Sequence, residues 1–524
     1  MTAPGPAPAA AGGGPRPGQR IALLPLDERP VCTRLPAMVA AVAGLRVETP
    51  PAHLMPRLRT PGDHAALGRW LADQARPARP VAAVVALETL GYGGLIASRT
   101  APGTVAGVTA RWAPLRTLAD AGVPVHAVAL VTRTPDSADA LEEPAYWDPH
   151  GPDLHRLSAH LHQTALGAGD PATAEPPLPP GVRADFVRRR LRNHALNLAA
   201  LELLAAGTVT SLVVGADDTA PYALATAELD WLRNWAGWLA AGDAVSVRPG
   251  ADEATTVFVA RTVLDRLGTA RPKVAVEAAE PAGLERVAPY ENGPVGQTAT
   301  RQIEACGAVA VAAGEPCDLR LLVHTPDGSG ADWAIAPPAA RPAAAHDRAA
   351  ALARRAAALL DAGEAVAVAD CGQPNGADPL LVRALRRHGV LERLAGYAGW
   401  NTAGNTLGTA AAHGVTAVAA RWAGRFDRAA HRRLLLHRLL EDWAYMTRAR
   451  TAGRAALGSD PARHESLPAD SPVLGVIEGE LAACRRELGA FTEYRPAPGS
   501  VRLPWQRTFE ADFDLTAHPS VEHT

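Results

Sequence analysis

Short apolar segments alternate with longer amphipathic segments along most of the chain, and this alternation most constrains the fold. Short runs rich in Val, Ile, Leu and Ala, bounded by Gly or Pro, are typical of buried strands, whereas the longer segments between them are typical of helices. The predicted strands are 20–26, 45–49, 81–88, 125–131, 210–216, 244–248, 272–277, 319–324, 366–370 and 415–419. This pattern indicates an α/β protein built on parallel strands.

The number of predicted strands leaves the architecture open. A closed (β/α)8-barrel would need some of them as accessory strands, whereas two doubly wound α/β domains would use them all. We expect the barrel-like arrangement and keep two domains as the alternative. The expected organisation is a disordered lead-in at 1–18, a barrel-like catalytic domain at 19–424 with a subdivision near 270 left open, and a C-terminal helical extension and tail at 425–524.

Several segments between the strands have a recognisable character. The amphipathic pattern predicts one helix over 184–206 and another over 425–450. The segment 136–183, rich in Pro, Asp and His, is interpreted as an excursion that carries lid or specificity loops. The Pro/Ala/Gly-rich stretch 325–345 marks a boundary or a long loop, and 451–472 is expected to be a mobile loop.

Composition limits the classes of partner and compartment. The chain has 524 residues and a formal net charge of −2, so bulk electrostatics does not favour nucleic acid or an anionic membrane. Its five cysteines include no CxxC pair, which argues against a disulfide framework or zinc knuckle and favours the cytoplasm. The expected partner is a small-molecule or oligosaccharide substrate, and the sequence does not indicate an oligomeric state.

Asp217 and Asp218 are the strongest functional candidates because they directly follow a predicted buried strand. Reactive groups in parallel α/β proteins gather at the carboxyl ends of strands. Two adjacent carboxylates resist ionising together, so one tends to keep its proton and the pair can supply an acid and a base. The alternative is that one residue caps the following helix while the other faces solvent.

Other predicted strand ends carry similar polar groups, which indicates a shared ligand pocket. The candidate substrate-binding residues at these ends are Asp27, Glu28, Arg29, Glu88, Tyr92, Arg99, Asp252 and Glu253. For residues 27–29 an internal salt bridge is the competing interpretation. For Asp252 and Glu253 an N-terminal helix-capping role is favoured.

Two segments rich in amides and glycine, 369–378 and 396–409, are suited to surround a hydroxylated ligand. Their candidate binding residues are Asn375, Trp400, Asn401 and Asn405, which offer two-way hydrogen bonding and an aromatic platform. The alternative is a glycine-rich turn with structural Asn side chains. Phosphate-loop, HExxH and GxSxG motifs are absent from the sequence, so we expect neither a cofactor nor a dedicated metal site.

Segments spread over nearly the whole chain resemble a bacterial family known only as a domain of unknown function, DUF4127. The resemblance rests on 22–30 (ALLPLDERP), 91–99 (GYGGLIASR), 192–194 (RNH), 216–218 (ADD), 249–253 (PGADE), 398–408 (AGWNTAGNTLG), 503–505 (LPW) and 509–510 (FE). It implies no particular activity.

A looser resemblance suggests a reaction. A strand followed by Asp-Asp, with an Asn-containing loop downstream, is similar to the β-N-acetylglucosaminidases that use neighbouring-group catalysis. The resemblance implies that Asp217 orients and polarises the acetamido group, that Asp218 is the general acid and base, and that Asn401 contacts sugar hydroxyls. We therefore expect a glycoside hydrolase-like enzyme acting on a small or oligomeric sugar, with an N-acetylhexosaminide as one candidate substrate.

Two further hypotheses remain open from the sequence. One is a metal-dependent hydrolase or lyase in which Asp217, Asp218 and Asp370 are oxygen ligands. The other is a non-catalytic protein that binds a carbohydrate or another metabolite.

Overall fold

The computed structural model describes residues 19–169, 175–333 and 340–517. The predicted lead-in at 1–18 lies outside these residues. The strands are β1 (Arg20–Leu24), β2 (Arg46–Glu48), β3 (Ala82–Ala86), β4 (Val125–Val131), β5 (Ser211–Ala216), β6 (Val245–Pro249), β7 (Lys273–Ala278), β8 (Val309–Val311), β9 (Leu319–His324), β10 (Val366–Asp370), β11 (Gly396–Ala398), β12 (Tyr494–Pro496) and β13 (Leu515–Ala517).

Helices connect most of these strands. They are α1 (Pro30–Val42), α2 (His64–Asp73), α3 (Leu87–Tyr92), α4 (Leu95–Thr100), α5 (Val105–Ala110), α6 (Ala113–Asp120), α7 (Trp147–Ala165), α8 (Pro180–Ala205), α9 (Leu224–Trp238), α10 (Ala254–Leu267), α11 (Val295–Ala305), α12 (Ala343–Asp361), α13 (Pro379–Arg387), α14 (Ala403–Trp422), α15 (Arg428–Arg438), α16 (Arg450–Leu457) and α17 (Val473–Leu488). A π-helical segment, Leu439–Ala449, joins α15 to α16.

The described strands form two open parallel sheets. The first has the order β2-β1-β3-β4-β5-β6, the second has the order β8-β7-β9-β10-β11, and β12 and β13 make a small antiparallel pair. The mixed α/β class with parallel sheets is confirmed. These strands do not close into the barrel that we expected, and their arrangement instead corresponds to the alternative with two sheets.

The edges of the first sheet explain why it stays open. Strand β2 has only three residues and places the charged side chains of Arg46 and Glu48 at an exposed position, which makes it a poor partner for another strand. At the opposite edge, helix α11 packs against β6. Neither edge is therefore available to close a barrel.

Two local predictions are wrong. The apolar run 415–419 is not a strand but part of α14, which is buried along almost its whole length. A short apolar run does not distinguish a buried strand from a buried helix. The predicted loop 451–472 begins as helix, because α16 extends to Leu457. The predicted helices over 184–206 and 425–450 are both helical, the second continuing from α15 into the π-helical segment.

When each sheet is numbered from its own first strand, the second sheet has the order 2-1-3-4-5, and the first has the same order with a sixth strand added, 2-1-3-4-5-6. In the first sheet, Ile21 and Leu23 face a core that includes Leu321 of β9 and Leu407 of α14. The alternate residue Ala22 belongs to a second core, against α2 and α8. The first core is continuous between the sheets, and ligands of doubly wound proteins bind at the carboxyl ends of such strands.

The C-terminal region returns to the start of the chain. The guanidinium of Arg34 in α1 donates a hydrogen bond of 2.6 Å to the carbonyl of Phe513, and it forms an ion pair with Asp514. The hydroxyl of Tyr445 donates to the carbonyl of Thr508 at 2.9 Å. Residues 504–513 thus lie beside the carboxyl end of β1.

Candidate functional site

A cleft of about 570 Å³ opens where loops from the carboxyl ends of both sheets meet the C-terminal region. Its charged and polar lining includes Arg29, Arg99, Arg133, Asp136, Glu142, Asp217, Asp218, Asp252, Tyr290, Asp332, Asn375, Asn401, Arg450, Arg454 and Arg507. A larger groove of about 1140 Å³ is lined partly by Glu28 and Trp505. Because that groove lacks Asp217, Asp218 and their partners, the smaller cleft is the better candidate site.

Asp217 and Asp218 lie together in the cleft. The backbone N–H of Asp217 donates to the carbonyl of Val131 at 3.1 Å, which extends the pairing of β5 with β4 by one residue. Asp218 follows with φ 46°, a left-handed conformation that turns the chain away from the sheet. The two side chains are 15% and 29% exposed, so both carboxylates can reach a ligand.

Two arginines hold this acid pair from one side. The guanidinium of Arg99 donates to Asp217, and Arg133 Nη1 donates to Asp218 Oδ2 at 3.3 Å. Burial and the charge of Asp217 raise the pKa of Asp218 to about 6, although the two arginines oppose the shift. Asp218 therefore exchanges its proton near neutral pH, as a general acid and base must do.

Two glutamates in turn fix these arginines. Arg99 Nη1 donates to Glu142 at 2.9 Å and to Glu143 at 3.1 Å, while Arg133 donates to the same carboxylates at 3.1 and 2.8 Å. Arg507 from the C-terminal region also pairs with Glu142. Although burial alone would raise it, these arginines hold the pKa of Glu142 well below its ordinary value.

Arg29 is a further charged residue of the cleft lining. Its guanidinium lies between two carboxylates, donating to Asp27 at 2.8–3.0 Å and to Asp252 Oδ2 at 3.2 Å. The internal salt bridge considered for residues 27–29 is therefore present. Asn401 Nδ2 also donates to Asp252 Oδ2, at 3.3 Å. Burial raises the pKa of Asp252 to about 6, with Arg29 opposing and the nearby Asp27 and Asp217 adding to the shift.

Hydrogen bonds connect the loops around the cleft mouth. Tyr290 donates its hydroxyl to Asp332 Oδ2 at 3.0 Å, and Asn375 Nδ2 donates to the same oxygen at 2.8 Å. The backbone N–H of Asn375 donates to the carbonyl of Asn401 at 3.0 Å. Asn375 and Asn401 have φ values of 58° and 62°, a region that Asn tolerates better than most residues. The loops after β10 and β11 are therefore held together.

Three candidate residues near the first sheet do not line the cleft. Glu28 faces the larger groove, where burial and the charge of Asp27 raise its pKa to about 7. Glu88 is buried and accepts a hydrogen bond of 2.8 Å from the backbone N–H of Leu130. The ring of Tyr92 lies 5.1 Å from the guanidinium of Arg192.

Three further candidates are buried behind the cleft. Glu253 pairs with Arg248 and accepts a hydrogen bond of 2.7 Å from Gln302, and its side chain makes no capping hydrogen bond at the start of α10. The indole of Trp400 packs edge-on against Phe509. Asn405 Oδ1 accepts from a backbone N–H at 3.4 Å, which is a structural role.

The described residues offer little support for the metal-ligand set that we considered. Asp370 does not line the cleft; its carboxylate accepts backbone hydrogen bonds from the following loop, at 2.7 and 3.4 Å. Asp27, Cys32 and Asp252 lie close enough to share an ion, but the guanidinium of Arg29 already bridges the two carboxylates. A second cation there would meet strong repulsion from that guanidinium.

Sequence reasoning missed several residues of the cleft. Arg133 follows β4 closely, so the strand-end pattern that indicated Asp27 and Asp217 could have found it. Tyr290 lies in a loop and Arg450 in a helix, and no local sequence pattern around either residue indicates a binding site.

The fold and site define an α/β protein of two parallel sheets with a charged cleft at their carboxyl ends. The chain belongs to the family described as Protein of unknown function (DUF4127), whose family model matches residues 21–514, so the family resemblance is confirmed. No curated protein matches the chain, and neither does any solved structure. None of the described helices is both long and apolar enough to cross a bilayer.

Proposed function

We propose that the protein is a glycoside hydrolase-like enzyme in which Asp218 is the general acid and base. The observation that carries the proposal is a carboxyl group with a pKa of about 6 that remains 29% exposed in a cleft. A glycosidase needs a carboxylic acid that is still protonated near neutral pH to donate a proton to the leaving oxygen. A later proton transfer from water returns Asp218 to its starting state.

Asp217 is the proposed orienting carboxylate. The guanidinium of Arg99 holds it, and Arg99 is itself fixed by Glu142 and Glu143. A carboxylate with a fixed position can accept a hydrogen bond from the acetamido N–H of an N-acetylhexosaminide, so that the acetamido oxygen attacks the anomeric carbon. This substrate also fits a lining that includes amides and a phenol, which bind hydroxyl groups.

The cleft is large enough for such a ligand. Ligand pockets in proteins occupy about 300–1,000 Å³, and the cleft measures about 570 Å³. Asn375, Asn401 and Tyr290 add polar groups to the same lining as Arg99 and Arg133. A sugar ring bound against these groups would place its glycosidic oxygen near Asp218.

The test is a screen of chromogenic glycosides, N-acetylglucosaminides included, with the wild type, D218N, D217N and the control D120N. Asp120 is 63% exposed and does not line the cleft, so D120N removes a carboxylate charge as D218N does but should keep activity. D218N should lose about 10²–10⁴-fold in kcat.

Leaving-group dependence separates proton donation from a structural effect. A 2,4-dinitrophenyl glycoside needs little protonation of its leaving oxygen, so D218N should be impaired far less on it than on a 4-methylumbelliferyl glycoside. Equal rates for the wild type and D218N on every substrate that is cleaved would refute the assignment. Ligand-induced stabilisation without product formation would favour a binding protein instead.

A further inference from the structure

The C-terminal region contributes a group of guanidinium ions to the cleft. Arg450 and Arg454 lie on α16 and Arg507 lies in the returning segment 504–513, and all three line the cleft. We call these three residues the basic wall. They face the same space as Asp217 and Asp218, so a ligand that reaches the acid pair can also reach the basic wall.

Arg450 is poorly neutralised for a buried arginine. It is 5% exposed and donates to two backbone carbonyls, those of Asn375 at 3.3 Å and Phe509 at 3.5 Å. Burial and the adjacent positive charge of Arg454 lower its pKa to about 10, while Tyr445 and Asp332 partly offset the shift. A buried guanidinium in this setting gains strongly from an anionic partner.

Arg454, like Arg450, can accept an anionic partner. Its Nε donates to Thr508 Oγ1 at 2.8 Å. Within the described parts of the chain, neither Arg450 nor Arg454 has a carboxylate oxygen within 4.0 Å of its guanidinium. Arg507 is already paired with Glu142 and stacks 4.5 Å from the Trp505 ring, which fixes its position at the side of the wall.

We infer that the basic wall binds the anionic group of a charged sugar, either a carboxylate, as in a uronic acid, or a phosphate ester. This inference rests on the proposed function for the reaction itself. Planar guanidinium groups bind oxyanions by paired, charge-assisted hydrogen bonds. Arg450 and Arg454 can provide such bonds because, among the described residues, neither is paired with a carboxylate. The substrate is then held at its charged group by the C-terminal region while its glycosidic bond lies at the acid pair.

The binding experiment measures affinity by calorimetry for glucuronate, galacturonate and glucose 6-phosphate, with glucose and galactose as neutral counterparts. Comparison of the uronates with the phosphate ester identifies the source of the anion. R450Q and R454Q should each weaken binding of the preferred anionic sugar by at least about tenfold. Because R450Q removes a buried group, R454Q, which is only partly buried, keeps the test valid if R450Q does not fold.

The matched control is R448Q. Arg448 lies two residues before Arg450, is 40% exposed and pairs with Glu487 outside the cleft, so its loss should leave affinity unchanged. The inference is overturned if no anionic sugar binds more tightly than its neutral counterpart, or if R454Q binds as the wild type does.

The two proposals can fail separately. If anionic sugars bind through the basic wall in the wild type and in D218N but no glycoside is cleaved, the binding inference is supported and the hydrolase proposal is refuted. If cleavage of neutral glycosides depends on Asp218 and R454Q does not change the affinity for anionic sugars, the hydrolase proposal is supported and the binding inference is refuted.

Discussion

Replacing Arg29 by methionine should strongly destabilise the fold. Its guanidinium is 4% exposed and is shared by Asp27 and Asp252, which are also buried. Removing one partner of a buried ion pair costs about 3–5 kcal/mol, because the remaining charge is left without water or a counterion. Here two carboxylates lose their partner together, so we expect a loss at the upper end of this range near pH 8.

The structure also gives the direction of the pH dependence. Even with Arg29 present, the pKa of Asp252 is raised from 3.8 to about 6, which corresponds to about 3 kcal/mol in favour of the protonated form. Without Arg29 that pKa rises further. When the pKa of a carboxyl group is higher in the folded state than in the unfolded state, the free energy of unfolding falls as the pH rises from the unfolded-state pKa through the folded-state pKa. R29M should therefore be closer to the wild type at pH 5 than at pH 8.

Urea denaturation of the wild type, R29M and R116M at pH 5 and pH 8 tests this reasoning. Arg116 forms an exposed ion pair with Asp120, so R116M should change the free energy of unfolding by less than about 1 kcal/mol at either pH. A loss below about 1 kcal/mol for R29M at pH 8, or a larger loss at pH 5 than at pH 8, would show that Arg29 does not compensate these buried charges.

Three further outcomes follow from the structure. With a cleaved substrate, the kcat/KM of the wild type should fall as pH rises through about 6, because Asp218 in the free enzyme loses the proton that it donates; an unchanged kcat/KM from pH 5 to 8 would contradict this role. E88Q should be more stable than the wild type by about 1–3 kcal/mol at pH 8 but not at pH 4, because burial raises the pKa of Glu88 to about 7. The amide oxygen of the glutamine can still accept the hydrogen bond from the backbone N–H of Leu130. Thermal melts at both pH values would detect this difference, and a less stable E88Q at pH 8 would contradict it. G408A should lower the free energy of unfolding by about 1–3 kcal/mol, because a Cβ there would lie 2.5 Å from neighbouring side chains. A Cβ at position 237 would have no atom within 4 Å, so G237A should be neutral or stabilising in the same melts. Equal effects of the two substitutions would refute the packing argument.

The strands were predictable where local sequence decides the structure. The β-branched run before Asp217 is bounded by turn-forming residues, so both the strand and its exposed end could be inferred. The run 415–419 was wrongly predicted as a strand because α14 is buried on most sides, and its apolar residues therefore lack the periodicity of a surface helix.

The cleft was only partly predictable because its walls come from distant parts of the chain. Asp217 and Asp218 follow a predicted strand and were proposed from that position, whereas Asn375 and Asn401 were proposed from segments rich in amides and glycine. The pair formed by Glu142 and Arg507 joins residues 365 positions apart, and no local pattern encodes such a contact.

The return of residues 504–513 to the first strand also affects the order of folding. The hydrogen bond from Arg34 to Phe513 joins residues 479 positions apart. Contacts at such separation close a long loop, so they form late and contribute little to early folding intermediates. Both sheets can then assemble before the returning segment brings Arg507 to the cleft. Amide hydrogens of this returning segment should exchange with solvent faster than those of β4 and β5, since local release of the segment leaves the sheets folded.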